Sequence, residues 1–480
     1  MKKLIQIMLI ATLFLLSTSL IFAAESGIRV SIDGEPVEFT QESGSPFIDE
    51  NNRTQVPFRQ TLEAFGATVS WDAETRTAIA EKDDITVKIP IGTSYIYKND
   101  MRIINDTTSV IRDGRTFLPI RIVFNAFGAD VDWDGANRSI EIVSEGTGKN
   151  VGFIIIREQG YSTALTELPF RIMGFCDEEI AFLRYMTNLE SLRVVMNSRV
   201  SDLSPLSELT NLRSLTLSFT QISDLTPLSG LTNLIELELV GNQINDVSPL
   251  LNLTNLERLV LAMNQISDLS PLSELTNLTY LDLTRNQISD LSPLAELTDL
   301  TTLYLESNQI SDLASLPELV NLSSLNLRFN EISDLSRLSE LTNLRSLDLG
   351  LNQISDLTPL SELTDLTTLY LWNNQISVLA SLPELPNLSS LSLGYNQISD
   401  LASLPELVNL SSLNLSFNEI SDVSPLAELK MLENLRLDSN QISDLSPLAE
   451  LTSLELLAVR NNPITDWSPV EHVRDVEGRP

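Results

Sequence analysis

A 22-residue repeat fills the second half of this 480-residue chain and constrains its fold more than any other feature. The units read L-T-N-L-x-x-L-x-L-x-x-N-Q-I-S-D-L-S-P-L-S-E and run without a gap from Leu209 to Asp466, after a slightly longer unit that begins at Met186. A period of roughly 20–29 residues with an L-x-x-L-x-L-x-x-N core is typical of stacked solenoid coils. Because no single unit can bury its leucines alone, the thirteen units must stack around one continuous core.

The two halves of each unit predict different local structures. In the unit that begins at Leu275, Leu281 and Leu283 alternate with variable residues, and a period of two is typical of a strand with its leucines on one face. Residues 289–294 of the same unit are rich in Ser, Asp and Pro, which favour a short 3₁₀ or irregular turn. The sequence therefore predicts an α/β solenoid: an arc with a parallel β-sheet on its concave face and short return turns.

An asparagine column follows the predicted strands and runs without interruption from Asn242 to Asn462. An asparagine amide suits a sharp bend because it can pair with backbone groups that the bend leaves without partners. We therefore expect an asparagine ladder along the stacked coils.

Residues 186–466 resemble the bacterial 22-residue leucine-rich repeats of the internalin type, on the strength of the repeated L-T-N-L-x-x-L-x-L-x-x-N-Q-I pattern. Internalins are surface or secreted proteins that bind other proteins through the concave face, so the resemblance implies binding without catalysis.

Solenoid ends need polar caps. We expect residues 150–185 to form an N-terminal cap with a degenerate repeat, and residues 467–480 to form a C-terminal cap or tail.

Residues 27–144 are predicted to form a separate, small α+β domain with an internal duplication. The motif P-x-R-x-x-x-x-A-F-G-A-x-V-x-W-D begins at Pro57 and again at Pro119, 62 residues later. Each copy predicts a short helix that ends at a glycine, Gly66 or Gly128, followed by a hairpin. The motif resembles the copper amine oxidase N-terminal-like, or stalk, domain of exported bacterial proteins, which implies an accessory or spacer role.

The chain lacks the residues for copper amine oxidase chemistry. That site needs three histidines and a modified tyrosine in a separate catalytic domain, whereas the only histidine here is His472. We therefore predict no cofactor and no metal site. The duplicated Trp71, Trp133, Arg59 and Arg121 leave two interpretations open, a structural role, which we favour, and a sugar-binding set.

The net charge of −34 follows the repeat, because nearly every unit carries an Asp in its turn. We interpret this acidity as a solvated face, with weak divalent-cation binding as the alternative, and we expect no nucleic-acid partner because lysine and arginine are not clustered.

Residues 1–24 have the pattern of a signal peptide, the alternative being an uncleaved anchor. We expect a secreted or cell-surface protein of a Gram-positive bacterium, without a transmembrane segment in the mature chain.

The candidate binding residues are the departures from the template at variable strand positions in the middle units. Aromatic and arginine side chains are enriched at the centres of protein interfaces. These positions are Tyr280, Asp282, Tyr304, Glu306, Arg328, Asp348, Tyr370 and Trp372. Duplication without selection for a ligand is the competing explanation, since the units around Tyr304 and Tyr370 are nearly identical. A further set precedes the asparagine column and is expected to pack along the bend, namely Phe219, Phe329, Tyr395 and Phe417.

Three classes of function compete. We favour an exported, non-catalytic protein that binds a protein or a cell-surface glycan through the concave face. The alternative is a structural cell-envelope scaffold without a specific ligand. An enzyme is disfavoured, because one Cys and one His leave little from which to build a nucleophile and its base.

Overall fold

The computed structural model describes residues 27–99, 101–144, 153–156, 159–169, 173–196 and 199–479. The chain forms two compact units, Met1–Pro169 with Glu178–Ser191 and Phe170–Asp177 with Leu192–Pro480. The predicted signal peptide, residues 1–24, lies outside the described residues.

The first unit is a small α+β fold that contains helices α1 (Phe58–Ala64) and α2 (Ile120–Ala126). Its strands β1 to β15 are, in chain order, Arg29–Ile32, Glu35–Pro36, Phe47–Ile48, Thr54–Pro57, Thr68–Asp72, Thr77–Lys82, Ile85–Pro90, Tyr95–Lys98, Met101–Ile104, Val110–Arg112, Arg115–Pro119, Asp130–Asp134, Ser139–Val143, Phe153–Ile156 and Gln159–Ser162. They form three sheets, with the orders β12-β13-β1-β2, β10-β11-β4-β3 and β14-β15-β9-β8-β7-β6-β5.

The predicted duplication is confirmed in the first unit. Each helix directly follows a strand that ends in proline, and each is followed by a glycine with positive φ, +85° at Gly66 and +90° at Gly128. Glycine adopts this conformation without steric cost, which is why it ends helices. The hairpins β5–β6 and β12–β13 follow, and the carboxylates of Asp72 and Asp134 accept backbone hydrogen bonds that open their turns.

The hairpin β14–β15 extends a sheet of the first unit. Strand β15 pairs in parallel with β9, with Gly160 opposite Ile103. This hairpin lies within residues 150–185, the expected cap of the repeats. Its hydrogen bonds to β9 give it a second role in the small α+β fold, and the capping role stays a prediction.

The repeats form a parallel sheet that has fourteen strands in the part of the chain the structure describes. A short helix α3 (Asp177–Ile180) precedes it. Strands β16 to β29 are Ser191–Val195, Ser214–Ser218, Glu236–Glu238, Arg258–Val260, Tyr280–Asp282, Thr302–Tyr304, Ser324–Asn326, Ser346–Asp348, Thr368–Tyr370, Ser390–Ser392, Ser412–Asn414, Asn434–Arg436, Leu456–Ala458 and Asp475–Glu477. Each of the thirteen predicted units supplies one strand, and the segment after the repeats adds β29.

Return turns complete the coils as the sequence predicts. Most are short 3₁₀ segments such as Ser292–Leu294. Ahead of that segment, the Asp290 carboxylate accepts a hydrogen bond of 2.9 Å from the Ser292 backbone nitrogen. The same arrangement recurs at the other turn aspartates, which together form an acidic column, namely Asp202, Asp224, Asp246, Asp268, Asp312, Asp334, Asp356, Asp400, Asp422, Asp444 and Asp466. The acidic column therefore has a structural role as a set of turn caps.

The asparagine ladder is confirmed. Asn286, which is 8% exposed, donates through Nδ2 to the carbonyl oxygens of Leu261 and Leu283, both at 3.0 Å, and accepts from the Ile266 nitrogen at 3.0 Å. The same three bonds recur along the column, so each asparagine ties its own bend to the preceding coil.

Candidate functional site

The eight predicted site residues lie on the sheet face opposite to the leucine core. Leu281 and Leu303 are fully buried and pair in register, whereas Tyr280, Asp282 and Tyr304 beside them are only half-buried. Consecutive coils set neighbouring strands roughly 4.8 Å apart, which brings side chains of adjacent units into contact. Seven of the eight residues fall into two adjoining clusters.

The first cluster, which we call the tyrosine cluster, consists of Arg258, Tyr280, Asp282 and Tyr304. The rings of Tyr280 and Tyr304 meet edge to face with centroids 5.7 Å apart, and the Arg258 guanidinium carbon lies 3.7 Å from the Tyr280 centroid. Burial raises the pKa of the Tyr280 phenol, and a hydrogen bond with Arg258 opposes that rise. Asp282 accepts from the Thr284 backbone nitrogen at 2.9 Å, so its carboxylate is fixed at the edge of the cluster.

The second cluster, which we call the tryptophan cluster, consists of Glu306, Arg328, Asp348 and Trp372. The Arg328 guanidinium carbon lies 4.7 Å from the Trp372 ring centroid, and its Nη1 is 3.9 Å from Glu306 Oε1. Between Arg328 and Trp372 stands Gly350, where an added Cβ would lie 2.4 Å from the indole nitrogen. The absence of a side chain at Gly350 therefore gives Trp372 the space to reach Arg328.

The charged groups of the tryptophan cluster are incompletely matched. Burial raises the pKa of the Asp348 carboxyl, and the nearby Glu306 raises it further. A hydrogen bond of 2.9 Å from the Gly350 nitrogen and the positive charge of Arg328 oppose this rise. The Arg328 Nε atom is buried and donates no hydrogen bond to any described residue. Buried donors and charges without full partners are costly to the free protein. A ligand that supplied these partners would relieve that cost.

Tyr370 is the predicted site residue that the structure joins to neither cluster. Its side chain is 37% exposed, and it makes no aromatic or cation–π contact with the other described residues. It lies on the strand next to Asp348, with which it is in register. It therefore extends the face toward the C-terminal coils beside the tryptophan cluster.

Sequence reasoning missed Arg258 and Gly350. Arg258 stands in register with Tyr280 one coil earlier, so the shared column was the signal that could have found it. Gly350 stands in the column of Arg328 and Trp372, where a residue without a side chain marks a close approach.

The aromatic residues before the asparagine column lie at the bend, as expected, but they stay largely exposed. The rings of Tyr395 and Phe417 stack with centroids 4.1 Å apart and an interplanar angle of 10°. Phe219 covers Gly241, where an added Cβ would lie 2.6 Å from its ring. Phe329 is 56% exposed. Tyr395 and Phe417 therefore pack on one another and Phe219 packs on the neighbouring bend, whereas none of the four belongs to either cluster.

The family comparisons agree with the two-part organisation. Residues 31–142 match the copper amine oxidase N-terminal domain. The leucine-rich-repeat family matches residues 187–230, 232–274, 276–318, 320–362, 364–406, 386–428, 408–450 and 430–472. A search of curated protein sequences finds no match. Among the described residues, no helix is long and apolar enough to cross a lipid bilayer.

Solved structures similar to this chain are leucine-rich-repeat proteins. An internalin from Listeria monocytogenes is 37% identical, with a TM-score of 0.59 over 62% of this chain and 89% of that protein. A leucine-rich-repeat protein from Leptospira interrogans is 27% identical, with a TM-score of 0.58 over 66% of this chain and 82% of that protein. The fold is typical of protein-binding proteins. The chain therefore belongs to the internalin-like leucine-rich-repeat proteins and carries a copper amine oxidase N-terminal domain before its repeats.

Proposed function

We propose that this chain is an exported, non-catalytic binding protein whose repeat sheet binds a protein partner through the face that carries the tyrosine and tryptophan clusters. The observation that carries the proposal is the contact of Trp372 with Arg328 across Gly350. It holds an aromatic ring and a guanidinium group in fixed positions before any partner arrives. Side chains that are already ordered lose little conformational entropy on binding, so their contacts contribute more to affinity.

The extent of the two clusters favours a protein over a glycan. From Arg258 to Trp372 they cover six consecutive coils, β19 to β24. At about 4.8 Å per strand, this is roughly 24 Å along the sheet, comparable with the width of an ordinary protein interface. The composition points the same way, because tryptophan, tyrosine and arginine dominate the energetics of such interfaces.

Export rests on the signal-peptide pattern of residues 1–24 and on the likeness of the repeats to internalins. A secreted or cell-surface location follows from the two together. The competing function is a cell-envelope scaffold without a specific ligand. The two differ in whether the clustered side chains contact another molecule.

A photo-crosslinking experiment separates the two functions. Benzoylphenylalanine would replace Tyr370, which is exposed beside the tryptophan cluster, and, in a matched control, Tyr395, which is exposed at the bend. We expect one protein to be captured from living cells or extracellular fluid at Tyr370 and not at Tyr395. Capture of a glycan without any protein would show that the partner is a glycan and not a protein. The absence of any adduct, with the chain bound tightly to cell envelopes, would favour the scaffold.

Affinity for the captured partner then tests the residues. Arg328→Ala and Trp372→Ala should each weaken binding at least about tenfold, as expected of central interface residues. Arg436→Ala is the matched control, because Arg436 is exposed on the same sheet three coils beyond Tyr370. Equal affinities for all three variants and the wild type would show that the partner binds elsewhere.

A further inference from the structure

The first unit contains a cavity of about 350 Å³ that the binding face of the repeats does not involve. Its polar lining includes Asn52, Arg53, Thr54, Asp106 and Arg121, and the Trp133 ring forms part of its wall. Apolar side chains supply most of the remaining lining. A concave, mostly apolar space with a few convergent polar groups is typical of a small-ligand site.

One carboxylate, that of Asp106, belongs to the cavity lining, and it forms an ion pair with Arg53. Asp106 Oδ2 lies 2.6 Å from Arg53 Nε, and the Asp106 side chain is 10% exposed. Burial raises the pKa of the Asp106 carboxyl, and Arg53 opposes the rise. The pair therefore forms a fixed part of the wall, and Asp106 Oδ1 is a buried acceptor without a hydrogen-bond partner among the described residues.

Arg121 is the charged residue of the lining that has no ion pair within the described part of the chain. It has neither a side-chain hydrogen bond nor an ion pair with any described residue. Burial lowers the pKa of its guanidinium, the neighbouring Arg53 lowers it further, and the carboxylates of Asp132 and Asp106 oppose the fall without forming an ion pair with it. Two guanidinium groups and one carboxylate belong to the lining, so the lining residues carry a net positive charge within a chain whose net charge is −34. A half-buried guanidinium without a partner favours an anionic ligand, and its fork geometry matches a carboxylate.

Comparison of the two halves of the duplication shows that only the arginine of the second half lacks an ion pair. Arg59, the counterpart of Arg121, pairs at 3.1 Å with Glu63 one turn later on an exposed helix face. The position that corresponds to Glu63 is Asn125, which is buried and carries no charge. The second half thus lacks the acid that satisfies the first arginine, and its arginine lines a cavity instead.

We propose that this cavity binds a sugar that carries a carboxylate, with the carboxylate on Arg121 and the sugar ring against Trp133. The indole is 39% exposed and offers a flat apolar surface to a ring. Asn52 and Thr54 make no side-chain hydrogen bond with other described residues, so both can pair with sugar hydroxyl groups. A peptide carboxylate would need Arg121 but would gain little from the indole face.

Titration of the purified chain with glucuronic acid and with glucose tests the proposal, because the two sugars differ by the carboxylate. Saturation-transfer NMR should detect glucuronic acid, with an affinity at least about tenfold higher than that for glucose, as expected for a charge-assisted bidentate pair. Arg121→Gln should abolish this preference, and Arg121→Lys should retain part of it. Trp133→Leu should weaken the binding of both sugars.

The first half of the duplication provides the matched controls. Arg59→Gln and Trp71→Leu should leave both affinities unchanged, and the melting temperature of each variant reports whether it is folded. The proposal is overturned if glucuronic acid does not bind, or if folded Arg121→Gln binds it as tightly as the wild type. It is also overturned if N-acetylalanine binds as tightly as glucuronic acid and is insensitive to Trp133→Leu, because the ligand would then be a peptide-like carboxylate.

Discussion

Trp372 lies over Arg328 across an intervening coil, with the guanidinium carbon 4.7 Å from the ring centroid. The two residues are two repeats apart, and the coil between them contributes Gly350 at the corresponding position. The contact therefore depends on three units at once. A single methyl group added at Gly350, in the middle unit, is therefore enough to test the contact.

Gly350→Ala should displace Trp372 from Arg328 while the solenoid stays folded. The added Cβ would lie 2.4 Å from the indole nitrogen, so the ring must move, and its partly exposed position allows it to move. Loss of the cation–π contact should cost about 0.5–1 kcal/mol of unfolding free energy. The indole N–H resonance of Trp372, identified with Trp372→Phe, should shift in a two-dimensional NMR spectrum.

Gly230→Ala is the control for this substitution, because no atom lies within 4 Å of a Cβ added there. It should leave the Trp372 resonance in place. An unchanged Trp372 resonance in Gly350→Ala would mean that the ring does not occupy the space above Gly350 in solution.

The periodic parts of the fold were predictable because each repeats a local physical requirement. The strands, the asparagine ladder and the capped turns follow from residue types that recur at a fixed spacing, and the structure confirms all three. The backbone just before the asparagine column was not predictable. Phe329 and Leu351 have φ of +55° and +57°, a region that bulky residues avoid. Hydrogen bonds between coils impose it, as from the Phe329 nitrogen to the Gly350 oxygen at 2.9 Å.

The candidate sites were only partly predictable for a related reason. The face of each variable residue follows from the period of two, so the predicted set lies on one surface. Whether side chains from different coils meet depends on rotamers and on the neighbours' size, as Trp372 and Gly350 show. The loss of the acid at Asn125, the counterpart of Glu63, can be read from the sequence, but only the structure shows that Arg121 lines a cavity together with Arg53 and Asp106.

Asn330→Ala should destabilise the repeats by about 2–4 kcal/mol, because buried backbone groups that lose their partners cost about 1–3 kcal/mol each. Asn330 Nδ2 donates to the oxygens of Leu305 and Leu327 at 3.0 Å, and its Oδ1 accepts from the Ile310 nitrogen at 3.1 Å. Urea unfolding followed by circular dichroism measures the loss.

Asn462→Ala makes the same change at the last residue of the column. Asn462 is half-buried, so water can replace part of what its amide provides, and the cost should be smaller. If Asn330→Ala and Asn462→Ala lower the free energy of unfolding equally, burial of the asparagine does not increase its contribution to stability.

Acid should destabilise the repeats through the turn-capping aspartates. Hydrogen bonds from the hydroxyl and backbone N–H of the residue two positions later lower the carboxyl pKa at Asp224, Asp268, Asp290, Asp356, Asp422 and Asp466. A carboxyl whose pKa is lower in the folded state stabilises that state above the unfolded pKa of about 3.9, and the contribution is lost as the pH falls through the folded value. Replacing all six by Asn should lower the melting temperature at pH 6 and leave it close to that of the wild type near pH 2.

The control for the acid prediction removes the same charge from positions that cap no turn. The side-chain carboxylates of six exposed glutamates at the ends of units accept no hydrogen bond from the other described residues, namely those of Glu208, Glu274, Glu296, Glu318, Glu340 and Glu450. Replacing these by Gln relieves charge repulsion in a chain of net charge −34 without removing a cap, so it should not lower the melting temperature at pH 6. If both sets of substitutions change the melting temperature alike at every pH, the acid response comes from net charge and the capping bonds contribute nothing to it.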